Sequence, residues 1–272
     1  MEDRSVPRLI LCADDFAFSR DVSETNAGLA REGKLNATSC MTLMPGWATD
    51  AALLRDLPRH VEIGLHLTLT GERPLTDMPQ FAPDGVMPEI DPLTRSAARR
   101  ELPLDEIAGE VAAQFDAFVA AMGRAPDFVD GHQHSHALPG IRDIVLFETA
   151  HRAPNAWVRD CVDRVGAMLR RPFAGKAIGS AFHSRGLKRD AARYGLRCND
   201  SFAGHYDFST DYRGLFPRFL RKAASMHLVM CHPGAGKRPG DAIAAARPRE
   251  ADALRTWSIA DMAAAEGLAF PA

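Results

Sequence analysis

Four apolar stretches of this chain each run into an aspartate or a histidine at their C-terminal end. LILCADD ends at Asp14 and Asp15, VEIGLH ends at His66, DFVDGHQHSH carries His132, and HLVMCHPG carries His232. In a parallel α/β barrel or sheet, the C-terminal ends of the strands meet at one rim, and the loops there build the chemistry. Aspartate and histidine gathered at that rim can bind a divalent metal and leave a carboxylate and an imidazole free for proton transfer. The pattern therefore predicts an active site.

Strand-like and helix-like segments alternate along the chain. Apolar or alternating runs predict strands at residues 9–13, 37–44, 61–69, 128–131, 156–159, 196–198, 227–231 and 268–270. Helical spacing predicts helices at residues 21–33, 47–57, 104–122, 216–224 and 247–266. Seven or eight mainly parallel strands separated by helices indicate an α/β fold of the (β/α) TIM-like barrel type, regular or distorted, in a single domain of residues 1–272.

Two segments without periodicity interrupt the alternation. GERPLTDMPQFAPDGVMPEIDP follows the strand that ends near Thr70, and NDSFAGHYDFSTDYRG follows Cys198. The first is rich in proline and glycine and is too long for a tight connection. We therefore predict that it is a functional loop over the rim.

Charge and cysteine content argue against several classes of partner and location. Lys and Arg number 33 against 35 Asp and Glu, and a net charge of −2 gives no field that attracts a polyanion, so we expect no nucleic-acid partner. The five cysteines are odd in number and lack CxxC spacing, which is typical of reduced core residues. The N-terminus has only a short apolar run before two aspartates. This fits neither a signal peptide nor a membrane span, so we expect a cytoplasmic location without a membrane partner.

Each of these groups also has a structural explanation. An isolated Asp-Asp pair is more often a helix N-cap or a turn, and a single histidine in a strand, such as His66, is more often a hydrogen-bonded core residue. The other strand ends favour a site at Asp14 and Asp15, because adjacent side chains on a strand point in different directions and can take two roles. His232 precedes a Pro-Gly pair that forces a turn and leaves the imidazole at the rim.

The segment DGHQHSH is the most specific of the four. His132, His134 and His136 occupy alternate positions in register with Asp130, and all would share one face if the strand stays extended. Core packing alone does not explain three such histidines. Imidazoles beside carboxylates form a typical divalent-metal site, and histidines that do not bind the metal can orient the ligands or contact a substrate.

Together the motifs resemble those of the YdjC-like (ChbG/HpnK) carbohydrate deacetylases. ADDFAFS, GLHLTLT with a proline-rich loop after it, VDGHQHSH, NDSFAGHYDF and HLVMCHPG occur in the family's order between residue 8 and about residue 255. The resemblance implies a TIM-barrel-like fold. It also implies the metal-dependent removal of acetyl groups from N-acetylated amino sugars, chitooligosaccharides among them.

The resemblance also implies roles for individual residues. Asp15, His66 and His132 would bind one divalent metal ion, Mg²⁺ or Zn²⁺, with Mn²⁺ and Co²⁺ as further candidates. By analogy with NodB-like polysaccharide deacetylases, Asp14 would be the base that takes a proton from the attacking water. His232 would be the acid that protonates the leaving amine. The expected partner is a small acetylated sugar or oligosaccharide, and a homodimer is a candidate assembly.

Further side chains are candidates for contacts with the sugar. Arg159, at the end of a predicted strand, holds Asp14 ionised, contacts the substrate or lies on the surface. Phe18, Trp47 and Tyr206 lie near the rim segments, where each either stacks on a sugar face or packs in the core. The predicted substrate contacts are Arg159, His134, His136 and Tyr206.

Two positions depart from the family pattern. Ala17 stands where the opening motif usually has glycine, so the loop must differ locally if that position needs a positive φ. Gln133 stands where a third adjacent histidine is frequent. Neither change removes a predicted ligand.

Two other functions are compatible with the same residues. One is a metal hydrolase on the same kind of barrel that acts on another amide or on an ester. The other is a non-catalytic sugar-binding protein that has kept the site, which the presence of both Asp14 and His232 disfavours.

Overall fold

The computed structural model describes residues 6–168 and 173–271 of the chain. Within these ranges the strands are β1 (Arg8–Phe16), β2 (Ala37–Cys40), β3 (Glu62–Leu67), β4 (Phe128–Gly131), β5 (Trp157–Val158), β6 (Arg197–Cys198), β7 (Ser201–Ala203) and β8 (Met226–Cys231). The α-helices are α1 (Arg20–Arg31), α2 (Trp47–Asp50), α3 (Ile90–Arg99), α4 (Leu104–Met122), α5 (Ile141–Arg152), α6 (Val165–Met168), α7 (Ala174–His183), α8 (Leu187–Arg193), α9 (Tyr212–Phe219), α10 (Arg247–Thr256) and α11 (Ile259–Ala265). Short 3-10 helices span Ala51–Leu54 and His132–Ala137.

The strands of the described residues form one sheet in the order β6-β5-β4-β3-β2-β1-β8-β7. Every pair of neighbours is parallel. This is the strand order of a (β/α) barrel that is open between β6 and β7, where no ladder joins the described parts of the two strands. The curled sheet and its helices together form a half-barrel. The prediction of a distorted TIM-like barrel with seven or eight mainly parallel strands is confirmed.

The central strands are buried on both faces, as their continuous apolar composition predicts. In β1, Ile10 and Cys12 belong to an apolar cluster with Phe128 on the inner face of the curled sheet. Leu9 and Leu11 alternate with them and pack under helices α9 to α11. The strand ends are therefore fixed in direction by packing on both sides, which is what positions side chains at the rim.

Some predicted boundaries are wrong for local reasons. β7 lies in a segment whose composition predicts a loop, and its three residues are held by pairing with β8. The predicted strand at 268–270 makes only one bridge within the described residues, from Arg8 to Ala269. The predicted helix at 247–266 is two helices, because the chain is extended at Trp257 and Ser258 caps α11. Helix α3 begins inside the segment predicted as a long loop.

All five cysteines are buried as thiols, in agreement with their apolar neighbours in the sequence. None of the helices in the described ranges combines the length and the apolar character needed to cross a membrane. The cytoplasmic location and the single domain over residues 1–272 stay predictions.

Gly64 in β3 marks a place where the inner face of the sheet has no room for a side chain. A methyl group there would lie 2.4 Å from the ring of Phe128, which stacks on Trp157 with centroids 4.5 Å apart. Gly64→Ala is expected to lower the free energy of unfolding by roughly 1–3 kcal/mol, because the packed ring must move. Gly109→Ala in α4, with open space around it, should be neutral or stabilising by up to about 1 kcal/mol. Urea unfolding compares them, and equal stabilities would contradict the packing.

Candidate active site

Three side chains from different strands meet at the C-terminal rim of the sheet. Asp15 lies in β1, His66 in β3, and His132 directly follows β4. The Oδ1 atom of Asp15 lies 3.3 Å from Nε2 of His66 and 3.1 Å from Nδ1 of His132, and one ligand atom of each residue lies within 4.8 Å of the others. One carboxylate oxygen and two imidazole nitrogens at this spacing can hold a divalent metal ion. That these residues bind a metal stays a prediction.

An irregularity in β1 brings two neighbouring aspartates to the same rim. A regular strand sends neighbouring side chains to opposite faces of the sheet. Between Ala13 and Phe16, however, three residue steps on β1 oppose two on β2, which is the count of a β-bulge. Asp15 lies in the bulge with a left-handed φ of 65°. The side chains of Asp14 and Asp15 therefore both reach the rim, where each has different partners.

The loop after β1 contains a second left-handed residue at Ala17. Its φ is 73°, so the position does need the conformation that glycine favours, and the alanine adopts it. The loop therefore does not have to differ locally to accommodate an alanine in place of glycine. The Ala17 N–H donates to the hydroxyl of Ser23 at 3.0 Å, and the residue is buried. A non-glycine residue in this conformation costs on the order of 1 kcal/mol, which the surrounding contacts offset.

Asp130 in β4 orients His66. Its Oδ1 atom lies 2.7 Å from Nδ1 of His66 and also accepts a hydrogen bond from the Ser39 hydroxyl. With Nδ1 turned to Asp130, Nε2 of His66 faces Asp15, which is the arrangement in which a carboxylate orients a metal-binding histidine in known metal sites. Burial lowers the pKa of His66, but Asp130 outweighs it and raises the pKa to about 10. This shift indicates a negative potential that suits a cation.

Arg159 lies fully buried behind the rim and joins Asp14 to Asp130. Two of its nitrogens donate to the two oxygens of Asp14 at 2.6 Å each, and one of them also contacts Asp130. Arg159 does not line the cavity, so its position favours the ion pair with Asp14 over a substrate contact or a surface place. Cys12, Asp14 and Asp130 also have metal-ligand spacing, but the guanidinium of Arg159 already contacts all three.

The DGHQHSH segment leaves the strand immediately after β4. His132–Ala137 form a 3-10 turn in which Gln133 and His134 have φ values of 52° and 60°. The expectation that the alternate histidines share one extended face is therefore wrong. A turn of this kind sends successive side chains in different directions, so each histidine has its own surroundings.

Only part of this histidine set faces open space. His134 lines the cavity beside His205, with ring centroids 5.5 Å apart, and burial lowers the pKa of His134 well below its usual range. His136 turns away, and its Nε2 atom donates to the carbonyl oxygen of Arg159 at 2.9 Å. Burial lowers the pKa of His136 to about 4. The structure thus places His134, and not His136, where a substrate contact is open.

A cavity of about 500 Å³ lies over the rim and contains all five residues with predicted metal or acid-base roles. Nε2 of His232 lies 4.0 Å from Oδ2 of Asp14. The remaining walls come from the loops that follow β1, β3, β4, β7 and β8. Their side chains include Phe18, Glu72, Glu89, His205, Tyr206, Phe208, Arg238 and Asp241.

Glu250 in α10 supports the part of the cavity around His232. Its Oε2 atom accepts the backbone N–H of His232 at 2.5 Å, and its Oε1 atom accepts the hydroxyl of Tyr206. Burial raises the pKa of Glu250 to about 7 and lowers the pKa of His232. Burial and the neighbouring Glu250 raise the pKa of Tyr206 well above its usual range. Tyr206 therefore borders the cavity but is buried, and its hydroxyl is held by Glu250.

Two other aromatic residues considered for sugar stacking have different surroundings. Trp47 is 3% exposed and stacks on Phe118 with centroids 5.7 Å apart, so it belongs to the core. Phe18 lines the cavity, but the guanidinium groups of Arg238 and Arg247 lie 4.3 and 4.9 Å from its centroid. The ring of Phe18 therefore already makes cation–π contacts, in place of the stacking contact considered for a sugar.

Sequence reasoning missed the charged residues that support the site from α10. Arg247 donates to Oδ2 of Asp15 at 2.9 Å and to Asp241 at 2.8 Å. Burial raises the pKa of Asp15, but Arg247 and His132 outweigh it and hold the pKa well below its usual range. Arg247 and Glu250 carry no sequence signal, because charged residues on a helix are typical of a solvent-facing side.

A family model described as YdjC-like protein matches residues 8–265. The chain belongs to the YdjC-like family. Proteins named chitooligosaccharide deacetylase from Citrobacter koseri and Salmonella dublin are each 36% identical, over 83% of this chain and 81% of the relative. A protein of the same name from Proteus mirabilis is 37% identical over 50% of this chain and 53% of its own length.

A solved structure shares the fold of this YdjC-like chain. It is a protein from Enterococcus faecalis V583 that is named for a proposed role in cellobiose-phosphate cleavage. The TM-score is 0.71, with 98% of this chain and 97% of that chain covered. At 18% sequence identity, this likeness shows the fold alone.

The raised pKa of Glu250 predicts a pH-dependent change in stability. The folded-state pKa is about 7 against an ordinary value of 4.5, so the folded protein binds more protons than the unfolded chain between these values. Glu250 therefore lowers stability as pH rises through this window. Glu250→Gln keeps groups that can bond His232 and Tyr206. Its free energy of unfolding relative to wild type should rise by roughly 2–3 kcal/mol between pH 5 and 8, measured by urea unfolding. A pH-independent difference would show an unperturbed carboxyl group.

Proposed function

We propose that this protein is a metal-dependent carbohydrate N-deacetylase. It hydrolyses the acetamide of an N-acetylated amino sugar or of a chitooligosaccharide-type glycan. The observation that carries the proposal is the convergence of Asp15, His66 and His132 beside Asp14 and His232 on one cavity. The names of the relatives from Citrobacter koseri and Salmonella dublin support the choice of substrate class.

The residues at the rim fit a divalent cation. Asp15, His66 and His132 would hold it, since one carboxylate oxygen and two imidazole nitrogens are a common donor set for such ions. Asp130 orients His66, and Arg247 donates to Oδ2 of Asp15. These contacts hold Nε2 of His66 and Oδ1 of Asp15 facing each other. When bound, the ion would acidify water and stabilise negative charge on the acetyl oxygen. Mg²⁺ and Zn²⁺ are the first candidates, and the donor set also accepts Mn²⁺ or Co²⁺.

Asp14 is the proposed base for the attacking water. Arg159 donates to both of its oxygens, which holds the carboxylate in one orientation at the cavity. Each carboxylate oxygen has a second lone pair, so Asp14 can still accept a proton from water. The bulge in β1 places this base next to Asp15, so the proton acceptor and the proposed metal ligand keep a fixed relation.

His232 is the proposed acid. Water adds to the acetyl carbon, the C–N bond breaks, and the products are acetate and an amine, which leaves poorly unless it is protonated as the bond breaks. His232 lies on the same cavity as Asp14, with 4.0 Å between Nε2 and Oδ2. Burial lowers the pKa of His232, so a smaller fraction is charged at neutral pH, but that imidazolium gives up its proton more readily.

The walls offer groups that a sugar can contact. The half-buried Phe208 offers an aromatic ring from the loop after β7, and sugars stack on such rings through their apolar faces. Tyr206 borders the same cavity but is buried. His134 also lines the cavity, and within the described residues its Nδ1 atom is buried without a hydrogen-bond partner. A hydroxyl or acetamide group of a sugar would satisfy that atom, because buried polar groups without partners are costly. Arg159 and His136 do not line the cavity, so they would influence a sugar only indirectly, through the residues that do.

Acetate release tests the proposal directly. The protein is stripped of metal, reloaded with Zn²⁺ or Mg²⁺, and incubated with N-acetylglucosamine, N,N′-diacetylchitobiose and longer acetylated glycans. Acetate that appears only after reloading supports the proposal. Turnover of other amides or esters without acetate release from sugars supports a different metal hydrolase. Binding of sugars with metal present and no turnover supports a non-catalytic sugar-binding protein. The cytoplasmic location and the homodimer stay predictions.

Asp14→Asn should separate metal binding from turnover. The amide is similar in size to the carboxylate but cannot accept the proton from water, so acetate release should fall by roughly 10²–10⁴-fold. The metal content of the same preparation, measured by elemental analysis, should equal that of wild type. A variant that turns over normally, or that loses its metal, would remove Asp14 from the role of base.

His232→Ala should show a defect that depends on the leaving group. The defect should be large on an acetylated amino sugar and much smaller on an activated aryl acetate, whose leaving group needs no proton. Steady-state kinetics on both substrates measures the difference, with metal content as the control. Equal impairment on both substrates would assign the acid to another group, and His134 and His136 would be examined next.

A further inference from the structure

We propose that the ion pair between Glu72 and Arg238 closes one end of the cavity and so prevents the sugar chain from extending past the reacting unit on that side. The inference rests on the proposed function and names the side chains that restrict its substrate. It concerns the loops around the cavity rather than the residues with proposed metal or acid-base roles.

The pair joins two loops across the rim. Two nitrogens of Arg238 donate to the two carboxylate oxygens of Glu72 at 2.6 and 2.7 Å, which is the two-point geometry that makes such pairs strong. Glu72 follows β3 and Arg238 follows β8, and β2 and β1 lie between these strands in the sheet. Both residues line the cavity. The pair therefore spans the rim above β1 and β2 and covers that end of the cavity.

Both loops are fixed where they carry the pair. The carbonyl oxygen of Glu72 accepts the N–H of Met87 at 2.9 Å, which closes the base of the loop after β3. In the loop after β8, the left-handed Gly236 packs so closely on α1 that a methyl group there would meet the carboxylate of Asp21 at 1.9 Å. The loop after β3 is thus closed on itself at Glu72, the loop after β8 is held against α1, and the pair joins these two positions.

Arg238 is also braced against the site. Its guanidinium lies 4.3 Å from the ring centroid of Phe18, and Arg247 lies 4.9 Å from the same centroid. Arg247 in turn donates to Asp15. The closed end is therefore one continuous set of contacts from the loop after β8 to the proposed metal ligand. Side chains linked in this way resist displacement by an entering sugar unit.

The consequence is a preferred position for the reacting sugar. A unit whose acetamide lies between Asp14 and His232 meets Phe18 and Arg238 on the β1–β2 side. Further units can extend only in the opposite direction, towards the loops after β4 and β7, where His134 and Phe208 line the cavity. The site then favours short chains or chain ends, and breaking the pair makes room for a unit on the closed side.

The test compares the affinity for short and long chains in a double-mutant cycle. Wild type, Glu72→Ala, Arg238→Met and the double variant are stripped of metal, and N-acetylated chitooligosaccharides of two and five units are titrated by calorimetry. The affinity for five units relative to two should rise by about fivefold or more in each single variant, and by no more in the double variant, because each change breaks the same pair. Arg152→Met, which breaks an ion pair between α5 and α4, is the matched control and should leave the ratio unchanged.

An unchanged ratio in both single variants, or additive changes in the double variant, would overturn the inference, as would a wild-type protein that binds neither sugar. If Arg238→Met does not fold, Glu72→Gln keeps the side-chain volume, removes the charge and carries the same comparison. Acetate release by metal-loaded wild type from the two-unit sugar tests the proposed function separately. Binding without acetate release therefore contradicts the proposed function, while the affinities for the two sugars still test the inference.

Discussion

Pairing between buried cations and carboxylates determines the arrangement of the whole rim. Asp14, Asp15 and Asp130 are 2%, 1% and 0% exposed, and buried carboxylates are costly unless cations pair with them. Arg159 pairs with Asp14 and Asp130, and Arg247 pairs with Asp15. Each carboxylate takes its direction from its cation. Asp14, the proposed base, and Asp130, which orients His66, therefore share the guanidinium of Arg159. A change at Arg159 would affect both carboxylates.

The parallel sheet brings the C-terminal ends of its strands to one rim. Two local departures from regular geometry then direct side chains into the site. The bulge in β1 carries Asp15, and the 3-10 turn after β4 begins at His132. Both contain residues other than glycine with positive φ, among them Asp15 and His134. Conformations of this kind persist where the surrounding contacts over-determine them, and they cluster at functional positions. In this YdjC-like chain the two departures carry Asp15 and His132, and the regular strand β3 carries His66 to the same point.

The sequence predicts the features that are decided locally and misses those that tertiary packing decides. β1, β3 and β8 span nine, six and six residues with apolar runs, so their ends place Asp14, His66 and His232 at the rim without further information. β5 and β6 have only two residues each, and both lie inside predicted strands. β7 has three residues in a segment predicted as a loop, and pairing with β8 defines it. Arg247 and Glu250 are buried only because α10 packs over the rim, and the helix sequence does not record that contact.

The central claim is that Asp15, His66 and His132 form the metal site. X-ray diffraction from crystals grown with Zn²⁺, measured above and below the zinc absorption edge, locates the ion without reference to activity. The account predicts an anomalous peak within roughly 2.0–2.3 Å of Oδ1 of Asp15, Nε2 of His66 and Nδ1 of His132. A fully loaded protein whose peak lies between Asp14 and Asp130, or only at surface side chains, would contradict it.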